Sequence, residues 1–166
     1  MAALTAVMIA LLAMVVWFDI SVRIIPDLLC LAIGGLGLVL RLQVGLMPVV
    51  YSVGIAALLF LALLLVHSRG LVGGGDVKLL TALAIGLSPL DSYRLLMATA
   101  IFGGVLGLVY LVLRRAQPRM AARGRGHGLL ARIAATEVWR MRRGGPLPYG
   151  VAIATAACLV LLQPEG

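Results

Sequence analysis

From Ala2 to Phe18 the chain reads "AALTAVMIALLAMVVWF", an apolar run broken only by Thr5 and closed by Asp19. Crossing a bilayer as a helix takes about 20 predominantly apolar residues, and comparable runs recur toward the C-terminus. In lipid only helices and closed barrels satisfy every backbone polar group. The runs are continuous and do not alternate as strands of a barrel would, so helices remain. The 166 residues are 63% hydrophobic and only 12% charged. A soluble domain carries about 45–50% apolar and about 25% charged residues, so one aqueous core cannot absorb this chain. The expected fold class is all-α, a polytopic membrane helix bundle with about six transmembrane helices, in a single membrane-embedded domain over residues 1–166.

Six segments follow from the pattern. They run from about Ala2 to Phe18, from after Pro26 to about Leu40, and from about Val49 to Val66. The others run from Asp76 or Val77 to about Leu87, from about Leu95 to Leu113, and from about Tyr149 to Leu162. The fourth is short for a full crossing at ~1.5 Å rise per residue. The first lacks a basic leader region and is too long for a signal-peptide core, so it reads as a retained helix. Small residues recur in "AIGGLGLVL" and in the pair Gly103 and Gly107, whose spacing permits close helix approach.

The net charge is +8 and the arginines concentrate in residues 114–145. Such a loop reads as a positive-inside cytoplasmic segment beside anionic lipid headgroups. No aromatic-basic interleaving points to nucleic acid as the partner. Within it, "LLARIAATEVWRMRR" suits either an amphipathic interfacial helix or a solvated basic linker. A cytoplasmic loop and six spans place both termini outside. They put the Ser21–Pro26 turn and the His67–Gly75 loop in the cytoplasm, with Arg41 and Arg94 on the far side. Cys30 and Cys158 lie in apolar runs with no C-x-x-C, so a cysteine metal site is excluded and both read as small buried hydrophobes.

Acidic residues are rare, and an ionisable group near a membrane core is a functional candidate by default. Asp91 belongs to an expected outer loop, Glu137 to the basic loop and Glu165 to the tail. Asp27, after Pro26, is placed to cap the second helix. Asp19 and Asp76 remain, and two spans separate their loops, so both lie on one side of the membrane. Asp19 ends a helix, where the dipole disfavours an anion, and is expected to be the protonated partner. Asp76 begins a helix, where the dipole favours the anion, and is expected to be the base. Gly73, Gly74 and Gly75 before it allow positive φ and close approach of another backbone, such as an extended peptide substrate. Two carboxylates sharing one proton can activate water and polarise a scissile carbonyl. His67 and His127 are isolated, and "GGGD" lacks the rest of a phosphate loop.

"GGGDVK" (residues 73–78) resembles the G-x-G-D-x-K motif of the type IV prepilin peptidases. Asp19 upstream of "RIIP" is similar to their first motif, and "PLPYGVAIA" (residues 146–154) to their last-helix segment. The resemblance implies a membrane aspartic endopeptidase with Asp19 and Asp76 as the catalytic pair, needing no cofactor or metal. It implies a prepilin or pseudopilin precursor as partner, cut at the cytoplasmic face behind a short basic leader. Larger members also methylate the new N-terminus and carry a cytoplasmic domain with paired cysteines. This chain has neither feature, and it resembles the small peptidases of tight-adherence (Flp-type) pili, or the archaeal preflagellin peptidases. Lys78 then either holds the leader or tunes the pair, or else simply anchors its helix. Arg23 carries the same ambiguity, and Tyr149 is either a substrate contact or an interfacial aromatic. Three rival readings stand beside this one: a proton-coupled transporter or proton pathway, a non-enzymatic assembly subunit, and a G-x-G-D intramembrane protease with other substrates.

Overall fold

A computed structural model describes residues 2–120 and 147–163. Among them are six helices and no strand: α1 Ala2–Ser21, α2 Asp27–Leu42, α3 Leu46–Ser68, α4 Gly74–Gly86, α5 Pro89–Met120 and α6 Tyr149–Leu162. Two compact units divide the chain. One holds residues through Phe102 together with the segment from Pro148; the other is Gly103–Leu147, described only over the second half of α5 and at Leu147.

Among the described residues, three helices are long and apolar enough to cross a membrane: Ala3–Ser21, Leu46–Ser68 and Pro89–Leu113. The expectation of about six spans is met to that extent. At ~1.5 Å per residue, α2, α4 and α6 are about 24, 20 and 21 Å long, short of a hydrocarbon core about 30 Å thick. Their location within the first unit explains how short helices are tolerated. α4 packs against α2, α3 and α6, and α6 also packs on α1. Val77, Leu79, Leu80, Ala82, Leu83 and Ala84 of α4 are all buried.

α3 shows the inverse pattern. It buries only Ser52 and Ala56, while Leu46, Leu58 and Leu65 stand 76%, 68% and 68% exposed. An apolar helix that turns its large side chains outward is suited to lipid and not to water.

Glycine sets the α2–α4 spacing at one point. A Cβ built on Gly37 would stand 2.8 Å from Gly86 Cα, and one on Gly86 would stand 2.6 Å from Gly37 Cα. The backbones touch there, as the small residues of "AIGGLGLVL" suggest. Gly107 has no such neighbour among the described residues.

Two expectations need correction. Asp91 lies in the first turn of α5 and not in an outer loop. Ser88 caps that helix, accepting the Asp91 N–H and donating its hydroxyl to the Asp91 carboxylate, with Pro89 at the first helical position. At its other end α5 continues through residues 114–120, so the basic segment begins as helix. The remainder of the expected loop and interfacial helix lies outside the described residues.

Candidate active site

Asp19 lies in the last turn of α1 and is only 6% exposed. Beyond it the chain reverses sharply: the N–H groups of Val22 and Arg23 both donate to the Phe18 carbonyl, at 2.9 and 3.1 Å. Arg23 takes a left-handed conformation, φ 62°, which costs a residue with a Cβ roughly 1–2 kcal/mol.

The acid is not left facing uncompensated carbonyls. The N-terminus of α6 abuts it: Val151 N–H donates to Asp19 Oδ2 at 3.2 Å. A Cβ on Gly150 would stand 2.9 Å from both Cγ and Oδ2 of Asp19. First-turn N–H groups have no intrahelical acceptor, and the positive end of the α6 dipole favours an anion. The premise for making Asp19 the protonated partner, an acid at an unopposed helix C-terminus, therefore does not hold. Gly150 was not singled out from sequence. Its signal was a glycine one residue into a helix otherwise rich in larger apolar groups.

Asp76 is the third residue of α4, and the helix is capped by Gly73 in an extended conformation, φ −68° and ψ 143°. The Gly73 backbone lies against the Asp76 carboxylate and favours its anion. A Cβ on Gly73 would stand 2.9 Å from Asp76 Oδ2. One on Gly74 would meet the His67 ring at 3.5 Å, and one on Gly75 would meet Ile25 at 3.5 Å. The ring is itself fixed by a 2.7 Å hydrogen bond between His67 Nδ1 and the Val72 carbonyl. Gly45 and Gly70 are the glycines with positive φ among the described residues, so Gly73, Gly74 and Gly75 do not use that freedom. Gly73 is needed instead for the closeness of its own Asp76.

Asp76 lies outside the three candidate spans. Its carboxyl is pushed up from 3.8 to about 6, first by burial and then by the charge of Asp19, with the Gly73 backbone pulling the other way. Asp19 and Asp76, far apart in sequence, thus act on one another across the α1, α4 and α6 ends. Asp76, expected to be the ionised base, is thus a raised carboxyl.

Lys78 and Asp27 form an ion pair, Nζ to Oδ1 2.8 Å, with side chains 52% and 69% exposed. Asp27 is the first residue of α2 and Pro26 is its cap, so the capping role expected of Asp27 is corrected to pairing with Lys78. The pair stands at one end of an apolar groove of about 640 Å³ between α2, α3 and α4, bordered by Leu31, Leu38, Phe60 and Ile85. Tyr149, beside Gly150, is 42% exposed.

The match of residues 6–112 to the model of the type IV leader peptidase family takes in both aspartates and all three glycines. The chain belongs to the type IV leader peptidase family. No curated protein and no solved structure gave a match. The start of α6, which supplies Val151 and Gly150 to Asp19, falls outside the residues matched to the leader peptidase family.

Proposed function

We propose that this protein is an aspartic endopeptidase that removes the short leader from type IV prepilin-like precursors, with those of Flp-type pili as the first candidates. Asp19 and Asp76 are its catalytic pair. The observation that carries the reading is the electrostatic coupling of two carboxylates from different helices, one buried and one raised toward neutrality. Near pH 6 one member of such a pair holds a proton while the other accepts one from water. The water attacks the scissile carbonyl, the protonated carboxyl polarises that carbonyl, and the leaving amine takes the proton on departure. A pair titrates as a unit, so base and acid exchange roles through the cycle. Asp19, held by Val151 N–H, suits the ionised state at the start, and Asp76 suits the protonated one.

In this reading the chain is a multi-pass protein of a prokaryotic cytoplasmic membrane, α2, α4 and α6 complete a six-helix embedded domain, and the pair faces the cytoplasm. Gly73, Gly74 and Gly75 with Lys78 and Arg23 border the substrate, and the arginine-rich segment meets anionic headgroups. The apolar groove beside Lys78 offers room for an apolar stretch of the precursor. N-methylation is not part of the proposal.

The test is prepilin processing in membranes, read as a gel shift, for wild type, Asp19→Asn and Asp76→Asn at matched membrane levels. Leader removal by wild type and by neither variant supports the pair. Unimpaired processing in either variant removes that residue from the mechanism. A proton pathway without peptidase activity would leave the precursor intact even with wild type.

A further inference from the structure

The opposite end of the first unit holds a second polar site that the peptidase reading does not use. Thr5 and Asp19 mark its two ends on α1, about 21 Å apart by helix rise. A pocket of about 140 Å³ lies there, with Thr5, Arg41, Ser88, Asp91, Arg94 and Gln163 as its polar lining. Admitting one water takes only about 10–15 Å³ by the same measure.

Arg41 is the unusual member. It is 9% exposed, and its Nε donates to Ser52 Oγ at 3.0 Å. Ser52 in turn donates to the Leu87 carbonyl at 2.6 Å, so the guanidinium is held in one orientation. Neither Nη group has a hydrogen-bond partner among the described residues. The neighbouring helix ends do not need them. Arg41 O accepts from Val44 and Gly45 N–H, Val39 O from Gln43 N–H, and Ala84 O from Leu87 N–H.

Asp91 does not neutralise the site. Its carboxylate is taken by Arg94 Nη1 at 3.1 Å and by the Ser88 hydroxyl. Two guanidiniums therefore face one committed carboxylate. A buried cation left without a counterion is costly, and a guanidinium fork matches the paired oxygens of a phosphate group.

The geometry points to a phosphate-binding site at this pocket, in which Arg41 grips the oxyanion through its Nη groups and Arg94 closes the rim. The phosphate is either that of a lipid headgroup or free. Exposed Leu90 and Tyr93 beside Arg94 are suited to flank a lipid.

The test is thermal unfolding of the full chain, delipidated in an uncharged detergent. It is titrated with inorganic phosphate, with short-chain phosphatidylglycerol, or with the matching diacylglycerol. Wild type should show a saturable rise in Tm with phosphatidylglycerol and none with diacylglycerol. A rise with inorganic phosphate as well identifies free phosphate as an accepted source; its absence identifies the headgroup. Arg41→Gln should abolish the saturable rise, and Arg94→Gln should weaken the apparent affinity about tenfold, the worth of one charge-assisted hydrogen bond. Asp19→Asn should retain it in full. Arg94→Gln, changing a half-exposed residue, decides the matter should Arg41→Gln fail to fold. A flat Tm in wild type, or an unchanged shift in Arg94→Gln, overturns the site.

Discussion

Gly150 and Asp76 are the residues at which the site can be tested most sharply. A methyl group at Gly150 would stand 2.9 Å from the Asp19 carboxyl, so Gly150→Ala must push Asp19 away from Val151 N–H or shift α6. Overpacking of this kind costs about 1–3 kcal/mol. Prepilin processing should fall at least about tenfold while the protein still reaches the membrane. Gly54→Ala, where nothing lies within 4 Å, is the control and should process normally. Asp76 makes a prediction about pH. Its folded-state value of about 6 lies above the unfolded 3.8, so the native state holds the extra proton between them. Stability from this group is therefore present below about pH 4 and lost as pH rises through about 6. Asp76→Asn should unfold later than wild type at pH 7, by up to about 3 kcal/mol, with the gain gone near pH 4. Equal stability of the two proteins at pH 7 would mean that Asp76 is not held near neutrality. Lys78 and Asp27 belong to a different class. Both are exposed, so breaking their pair should leave stability nearly unchanged, and a larger loss of processing in Lys78→Ala than in Asp27→Asn would mark the lysine as a substrate contact.

At the scale of the helices, the α2–α4 crossing is the most constrained contact. Backbone meets backbone at Gly37 and Gly86, so no side-chain rotation relieves an added methyl. Gly86→Ala should lower stability in detergent by about 1–3 kcal/mol, measured by thermal unfolding. An unchanged Tm would show that the helices part easily. Hydropathy alone located α1 and α3 to within a few residues, because a spanning helix needs little beyond apolar length. It misplaced the start of α5, because the apolar count weighed more than the Ser88, Pro89 and Asp91 cap, whose chemistry was visible in the sequence. The short helices were placed as closely, the last from Tyr149 to Leu162 as expected. Asp27 looked like a cap, yet Pro26 holds that position, since an acid serves a first turn nearly as well as it serves the cap itself. The pair of aspartates was legible from their scarcity and their neighbours. The support of Asp19 by Val151 was not, because a contact across that much chain leaves no local pattern.

For the molecule as a whole, the arrangement makes one demand of the membrane. The turn after Asp19 and the loop before Asp76 lie at one end of the first unit, and the α2–α3 turn lies at the other. A leader peptidase acting on precursors before export needs the aspartate end in the cytoplasm. Arginine counting supports that orientation only in part, since Arg41 and Arg94 fall on the far side. The burial of Arg41 beside a pocket of about 140 Å³ fits that exception: a charge that grips an oxyanion, as proposed above, need not obey a rule about free charges in loops. Cysteine labelling separates the two orientations. In a background with Cys30→Ala and Cys158→Ala, Leu71→Cys and Gln43→Cys each place one thiol on an exposed position. An impermeant maleimide should label Gln43→Cys in intact cells and Leu71→Cys only after the inner membrane is opened. The reverse pattern would put both aspartates outside, where no precursor retains its leader in reach, and the leader-peptidase assignment of this pair would have to be given up even with its chemistry intact.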